Sequence, residues 1–217
     1  FGNHLKESMQ DTLMKADGVA VIFIGIAGAL SKMLVIKGGT IDTTGTMMMM
    51  ISLSLGAIVG EMLDLDGKMI HFGEWLKIKT GNAKDKKFVD GFVMASLTVC
   101  IGAMAVVGSI EDGIHADHSI LFAKAILDFV IILVMSATLG KGCLFSFVPV
   151  GLFQGTITLL ASLISPFITT SAMSALSYIG SILIFCVGVN LVFNTKIRVA
   201  NLLPALIVAC ICTVFPL

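Results

Sequence analysis

Two ionisable residues stand where hydrocarbon is expected. Lys124 and Asp128 lie inside the apolar stretch Ser119–Leu139, and their spacing of four puts them on one face of a helix. If that stretch spans a bilayer, Asp128 falls near its midpoint and Lys124 one turn earlier. A charge at the bilayer centre costs about 2.5–3.5 kcal/mol on translocon-insertion scales, so it usually faces a protein interior or a wet cavity. Asp128 could there ligate a cation or carry a proton, with Lys124 as its switchable partner. The competing reading is a pair that only neutralises itself inside a packed bundle.

Five further residues are candidates for binding a solute or ion. Gln154 falls near the middle of Cys143–Ile164, inside Gly151-xxx-Gly155, as either a substrate contact or interhelical glue. Glu61, Asp90, Asn190 and Asn201 fall near the ends of their helices on one side. With Asp128 as floor they would line a vestibule. The plainer reading of Glu61 and Asp90 is interfacial, Asp90 favouring a helix N-terminus. Glu111–His118 (EDGIHADH) holds metal-capable side chains, but His-x-x-His without a third ligand is weak, so a solvated loop and no metal are expected. No nucleophile elbow, Walker loop or HExxH motif appears. The expectation is therefore a protein that is not an enzyme and needs no cofactor. The cysteines, all in or beside apolar segments, read as apolar filler.

The elements that must position these residues are membrane helices. Hydrophobic residues make up 57% of the 217 and charged residues 13%, with mean hydropathy +1.02, an excess that a globule of this size cannot hide. Net charge is zero, which argues against nucleic acid. Seven apolar segments are expected: Gly18–Ile36, Thr46–Leu63, Phe88–Ile110, Ser119–Leu139, Cys143–Ile164, Met173–Phe193 and Val199–Pro216, each near the length a bilayer demands. Residues 1–15 read as a connector and Lys37–Gly45 as a turn region. Gly25 and Gly28 share one side of the first segment, Gly56-xxx-Gly60 suits close helix approach in lipid, and Pro204 and Gly102/Gly108 offer interruptions of the kind transporters show.

Asp64–Lys79 differs in kind. Leu65, Met69, Phe72 and Leu76 recur at helical spacing among polar residues, predicting an amphipathic helix at the membrane surface anchored by Trp75. Eleven Lys and Arg residues flank the segments on one side, against Lys32 and Lys37 on the other. The positive-inside rule then places the first residues in the cytoplasm and the C-terminus outside. Leu53–Gly60 (LSLGAIVG) faintly echoes Leu202–Ala209 (LLPALIVA), which is compatible with a weak inverted repeat.

QDTLMKADGVAVIFIGIAGAL, GAIVGEMLDLDG, FVDGFVMASLTVCIGAMAVVGSIEDGI, AKAILDF, QGTITLLA and KIRVANLLPAL resemble the YqgA/YdfK-type family of bacterial inner-membrane proteins, domain of unknown function 554, over nearly the whole chain. The resemblance implies a prokaryotic multi-pass membrane protein with another Gly-rich helix before residue 1, making eight spans natively. It carries no catalytic residues, and Asp17 departs from its apolar pattern.

The reading is an all-α polytopic bundle, one integral membrane domain over residues 1–217, in a bacterial cytoplasmic membrane. Its leading function is a transporter or channel for a small solute or ion. The alternative is a scaffold or sensor that docks a partner or anionic lipid through Asp64–Lys79 and the following Lys-rich loop. Partners are the bilayer and that solute or ion, and a homo-oligomer is compatible with the sequence.

Overall fold

The computed structural model describes residues 7–101, 103–164, 166 and 169–214. Residues 1–6, Gly102 and residues 215–217, parts of the expected connector, glycine interruption and last segment, lie outside the described residues. The chain is an all-α polytopic membrane bundle. In order it forms α1 (Glu7–Met33), a hairpin of β1 (Leu34–Lys37) and β2 (Thr40–Thr43), α2 (Thr46–Leu63), α3 (Leu65–Lys79), α4 (Phe88–Cys100), α5 (Ala103–His115), α6 (Ser119–Leu139), a 3-10 turn (Lys141–Ser146), α7 (Phe147–Leu159), α8 (Ala161–Ile164), α9 (Thr170–Phe193), α10 (Val199–Leu202) and α11 (Pro204–Val214).

Five of these stretches are long and apolar enough to cross a bilayer, or six if α4 and α5, bent by 62° at a break, count as one. The expected seven spans are corrected in three places. The first helix begins within the expected connector and ends at Met33, because Lys37-Gly38-Gly39-Thr40 closes a hairpin in place of a loose turn. Gly38 (φ 59°) and Gly39 (φ 83°) both sit in the left-handed region, as a two-residue type I′ turn requires. The third segment is broken in two. The seventh is a shorter apolar stretch divided at Pro204, whose ring cannot continue the ladder.

Glycines decide which helices meet. α1 runs antiparallel along α9: a Cβ added at Gly18 would lie 2.6 Å from Val192 Cγ2, one at Gly25 2.6 Å from the Phe185 nitrogen, and one at Gly28 2.3 Å from Ser181 Oγ. In lipid no hydrophobic force pulls helices together, so such backbone approach is what earns dispersion contact. α2 runs antiparallel to α10 and α11 in the same way, with Gly56 against Ala205 and Gly60 against Asn201. Gly56 and Ala205 are the positions that the echo LSLGAIVG/LLPALIVA aligns, so its two members pack directly on each other. Outward, Phe122, Ile126, Phe129 and Leu133 form the exposed apolar face of α6, as a lipid-facing helix requires.

The amphipathic face of α3 is present, but its contacts differ from those expected. Phe72 meets Phe92 edge-on at 5.8 Å, Leu76 joins buried Phe88 and Phe92, and Leu65 and Met69 pack on the central core. Ile70 and Ile78 on the far side are exposed, and so is Trp75, which stacks on Phe72 at the edge of the packed face. The helix thus has one apolar face on protein and further apolar residues exposed.

Candidate functional site

The break between α4 and α5 interrupts the helix beside Lys124. Ile101 adopts an extended conformation (φ −82°, ψ 113°), its N–H returning to Leu97 O, so the helix stops there and the Val99 carbonyl is open to a donor from outside α4. In an apolar bundle an unpaired carbonyl costs a few kcal/mol. Lys124, turned inward from α6 and only 7% exposed, donates from Nζ to Val99 O at 2.8 Å. The same ammonium pairs with the Asp128 carboxylate. A cation at the negative end of α4 is also favoured by the helix dipole. Lys124 therefore does more than neutralise Asp128, because it closes the break. Cys100 lies within electrostatic reach of both charges.

A second polar cluster forms where α2, α3 and α10 meet. Asn201 donates from Nδ2 to Glu61 Oε2 at 2.6 Å and accepts the Asp66 backbone N–H at Oδ1 at 2.7 Å. Arg198 pairs with the other Glu61 oxygen. In the sequence Arg198 reads as one more basic loop residue, and nothing there links Asp66 to it. The signal available was Gly60, which lets the Asn201 backbone close on α2. Asp64, with left-handed φ, ends α2 and starts α3, its side chain accepting from the Gly67 N–H.

Burial raises the Asp66 carboxyl above its ordinary 3.8, Arg198 pulls it down, and Asp64 and Glu61 push it up. A carboxyl with a raised folded pKa binds its proton more tightly when folded. Stability therefore falls as pH rises through the interval above 3.8, and acidification into that interval relieves the cost. Arg198→Gln removes the lowering charge and should extend the interval to higher pH. Fluorescence of Trp75, the only tryptophan and part of α3, followed against pH, should show a transition displaced upward in Arg198→Gln and absent in Asp66→Asn. An unmoved transition would mean that Asp66 does not set it.

The other candidates separate. Asn190 is committed to the chain after it: its Nδ2 donates to Ile197 O at 2.8 Å, and its Oδ1 accepts from Thr195 Oγ1 at 2.7 Å and Ile197 N at 3.0 Å. It locks the turn after α9. Asp90 is exposed in the first turn of α4, the position its plainer reading gave it. The glycines beside Gln154 are unpacked, since a Cβ at Gly151 or Gly155 would meet nothing within 4 Å, and Gln154 Nε2 is sealed from solvent without a hydrogen-bond partner. Among the described residues the candidates expected to line one vestibule fall into separate groups. Neither of the two described clefts is lined by Asp128, and Glu61 and Asn201 belong to a separate cluster at one end.

The Glu111–His118 segment is exposed from Gly113 onward, half-buried at Glu111 and Asp112, and internally paired. His115 Nδ1 bonds Glu111 at 2.7 Å, His118 bonds Asp112, and Asp117 accepts both the Ser119 N–H and hydroxyl, which hold its carboxyl below the usual range. Among the described residues no group of three or more His, Cys, Asp or Glu side chains is placed to hold a metal.

A helical bundle with several apolar spans, one of them broken and braced by a buried lysine, defines a multi-pass membrane protein. The chain belongs to the family described as Protein of unknown function (DUF554), whose model matches residues 1–214. It is similar to the uncharacterized membrane protein YdfK of Bacillus subtilis (strain 168), 27% identical over 209 residues that cover 96% of this chain and 85% of the relative. It is also similar to the uncharacterized protein YqgA of Escherichia coli (strain K12), 27% identical over 213 residues, 96% of this chain and 86% of the relative. No solved structure matches it.

Proposed function

We propose that this protein carries a small solute or ion across the bacterial cytoplasmic membrane, with the α4–α5 break as its moving part and Lys124 and Asp128 as the latch. The observation behind the reading is the Lys124 ammonium held between the Val99 carbonyl and the Asp128 carboxylate. Those two oxygens together hold one cation, here tethered to the chain. Discontinuous helices in secondary transporters use freed carbonyls in the same manner to coordinate coupling ions. A proton reaching Asp128, or a small cation competing for its oxygens, would release Lys124 and free the break. Gln154, with an unspent amide, is the candidate substrate contact, whereas Asn190, Asn201 and Glu61 hold the scaffold.

Proteoliposomes with an internal pH dye, subjected to sodium, potassium and proton jumps, provide the test. Wild type should dissipate a gradient, Asp128→Asn should fold and not do so, and Lys124→Ala with Asp128→Ala should also be inactive. A wild-type rate in that double variant would defeat the proposal.

With α4–α5 counted as one crossing, the lysine and arginine bias supports an orientation with the Lys84–Lys87 loop in the cytoplasm, and the C-terminus lies outside if the stretch Val199–Thr213 also crosses. A cysteine at position 84 should then be labelled only from the cytoplasmic side, and one at Asp117 only from the other. Labelling of both from one face would contradict it. The exposed Ile70, Trp75 and Ile78 on α3, beside Lys77 and Lys79, favour a second reading, a scaffold that rests on anionic headgroups.

A further inference from the structure

At the end of the bundle away from the Lys-rich loop, a cleft of about 240 Å³ opens between four elements. Lys32 closes α1, Thr44 and Gly45 follow the hairpin, Ser171, Ser174 and Tyr178 lie along the first turns of α9, and Thr213 ends α11. The walls are held by the fold. The Thr44 N–H returns to Met33 O at 2.8 Å, and Gly45, with φ 72°, brings the chain so close that an added Cβ would lie 3.2 Å from the Tyr178 ring. Ser171, Ser174 and Tyr178 fall at spacings of three and four on one face of α9.

The lining has one sign of charge. Among the described residues Lys32 is the one charged side chain in the lining, and no carboxylate joins it. Thr213 spends its hydroxyl proton on Cys210 O at 2.7 Å, and Tyr178 points its own at Met49 Sδ at 3.3 Å. Among the described residues no hydrogen bond engages the hydroxyls of Thr44, Ser171 or Ser174. Thr169 caps Ala172 N at 3.1 Å, and the amides preceding it in α9 have no helical acceptor. An ammonium, three uncommitted hydroxyls and the positive end of a 24-residue helix all favour negative charge.

We infer that this cleft is a binding site for a small oxyanion, a phosphate or carboxylate group, that nothing in the transport reading requires. The group could be a free ion or the phosphate of a lipid headgroup, since the cleft sits at a bundle end.

The test is titration calorimetry of the purified full chain with inorganic phosphate at fixed ionic strength, first in neutral maltoside micelles. Saturable binding is expected, weakened at least tenfold in Lys32→Gln and in Ser171→Ala with Ser174→Ala. It should be retained in Lys32→Arg and unchanged in Lys141→Gln at the other end, with each variant's melting temperature checked. A second arm repeats the titration in nanodiscs of phosphatidylcholine with and without phosphatidylglycerol. Loss of phosphate binding with phosphatidylglycerol identifies a headgroup site, and equal binding in both identifies a free-ion site. Absence of saturable binding in wild type in every medium, or undiminished binding in Lys32→Gln, would overturn the inference. Neither result depends on whether the Lys124–Asp128 latch moves.

Discussion

Replacing Lys124 with alanine should destabilise the protein by about 3–5 kcal/mol, because it leaves the Asp128 carboxylate buried without its counter-charge and the Val99 carbonyl without a donor, the latter alone about 1–3 kcal/mol. Lys124→Ala with Asp128→Ala removes both charges and should recover most of that loss, leaving the orphan carbonyl as the residual cost. The ordering is the informative part: Lys124→Ala weakest, the double variant intermediate, wild type strongest. Reversible unfolding in mixed micelles followed by circular dichroism would check it. If the double variant is as stable as wild type, the carbonyl at the break is satisfied in another way and Lys124 is only a charge partner.

Gly60→Leu should be the most damaging of the glycine changes. Even an alanine Cβ there would fall 1.8 Å from the Asn201 carbonyl oxygen, and backbone on both sides has nowhere to go. Overpacking of this kind costs about 1–3 kcal/mol and occasionally more. Separating α2 from α10 would also break the Asn201 bonds to Glu61 and Asp66, at about 0.5–1.5 kcal/mol each. Gly151→Ala is the control. Its Cβ would enter open space, and trading glycine for alanine inside a helix should be neutral or gain about 0.5–1 kcal/mol. Equal melting temperatures for the two variants would mean that the α2–α10 contact is not formed.

The membrane class and the helix positions were legible because burial in lipid writes itself as long apolar runs. Thr46–Leu63 and Ser119–Leu139 coincide with α2 and α6 for that reason. The Gly56-xxx-Gly60 motif announced a close helix contact, and the structure supplies its partner. The break at α4–α5 was harder to read. Nothing in FVMASLTVCIGAMAVV distinguishes a straight helix from a bent one except Gly102. The consequence of the break, a carbonyl needing a cation, is a tertiary fact in which residue 99 meets residue 124. Asn201 and Asn190 drew notice as polar residues in apolar helices, yet whether an asparagine touches solute or holds a turn depends on neighbours far along the chain, as Glu61 and Asp66 are from Asn201. Gln154 shows the reverse: its GxxxG predicted a packed face, but α7 leaves that side open.

If the break opens to water when its latch lets go, Cys100, a native thiol beside the break and half-buried, reports it. In a variant whose other cysteines are replaced by alanine, a membrane-impermeant, water-soluble thiol reagent is applied to protein in native membranes, and the fraction of Cys100 modified is followed in time by mass shift. Modification should be slow and one-sided in the parent, and severalfold faster when Lys124→Ala and Asp128→Ala are combined. Cys100 that stays unmodified in both proteins, while reacting fully after unfolding, would contradict such an opening.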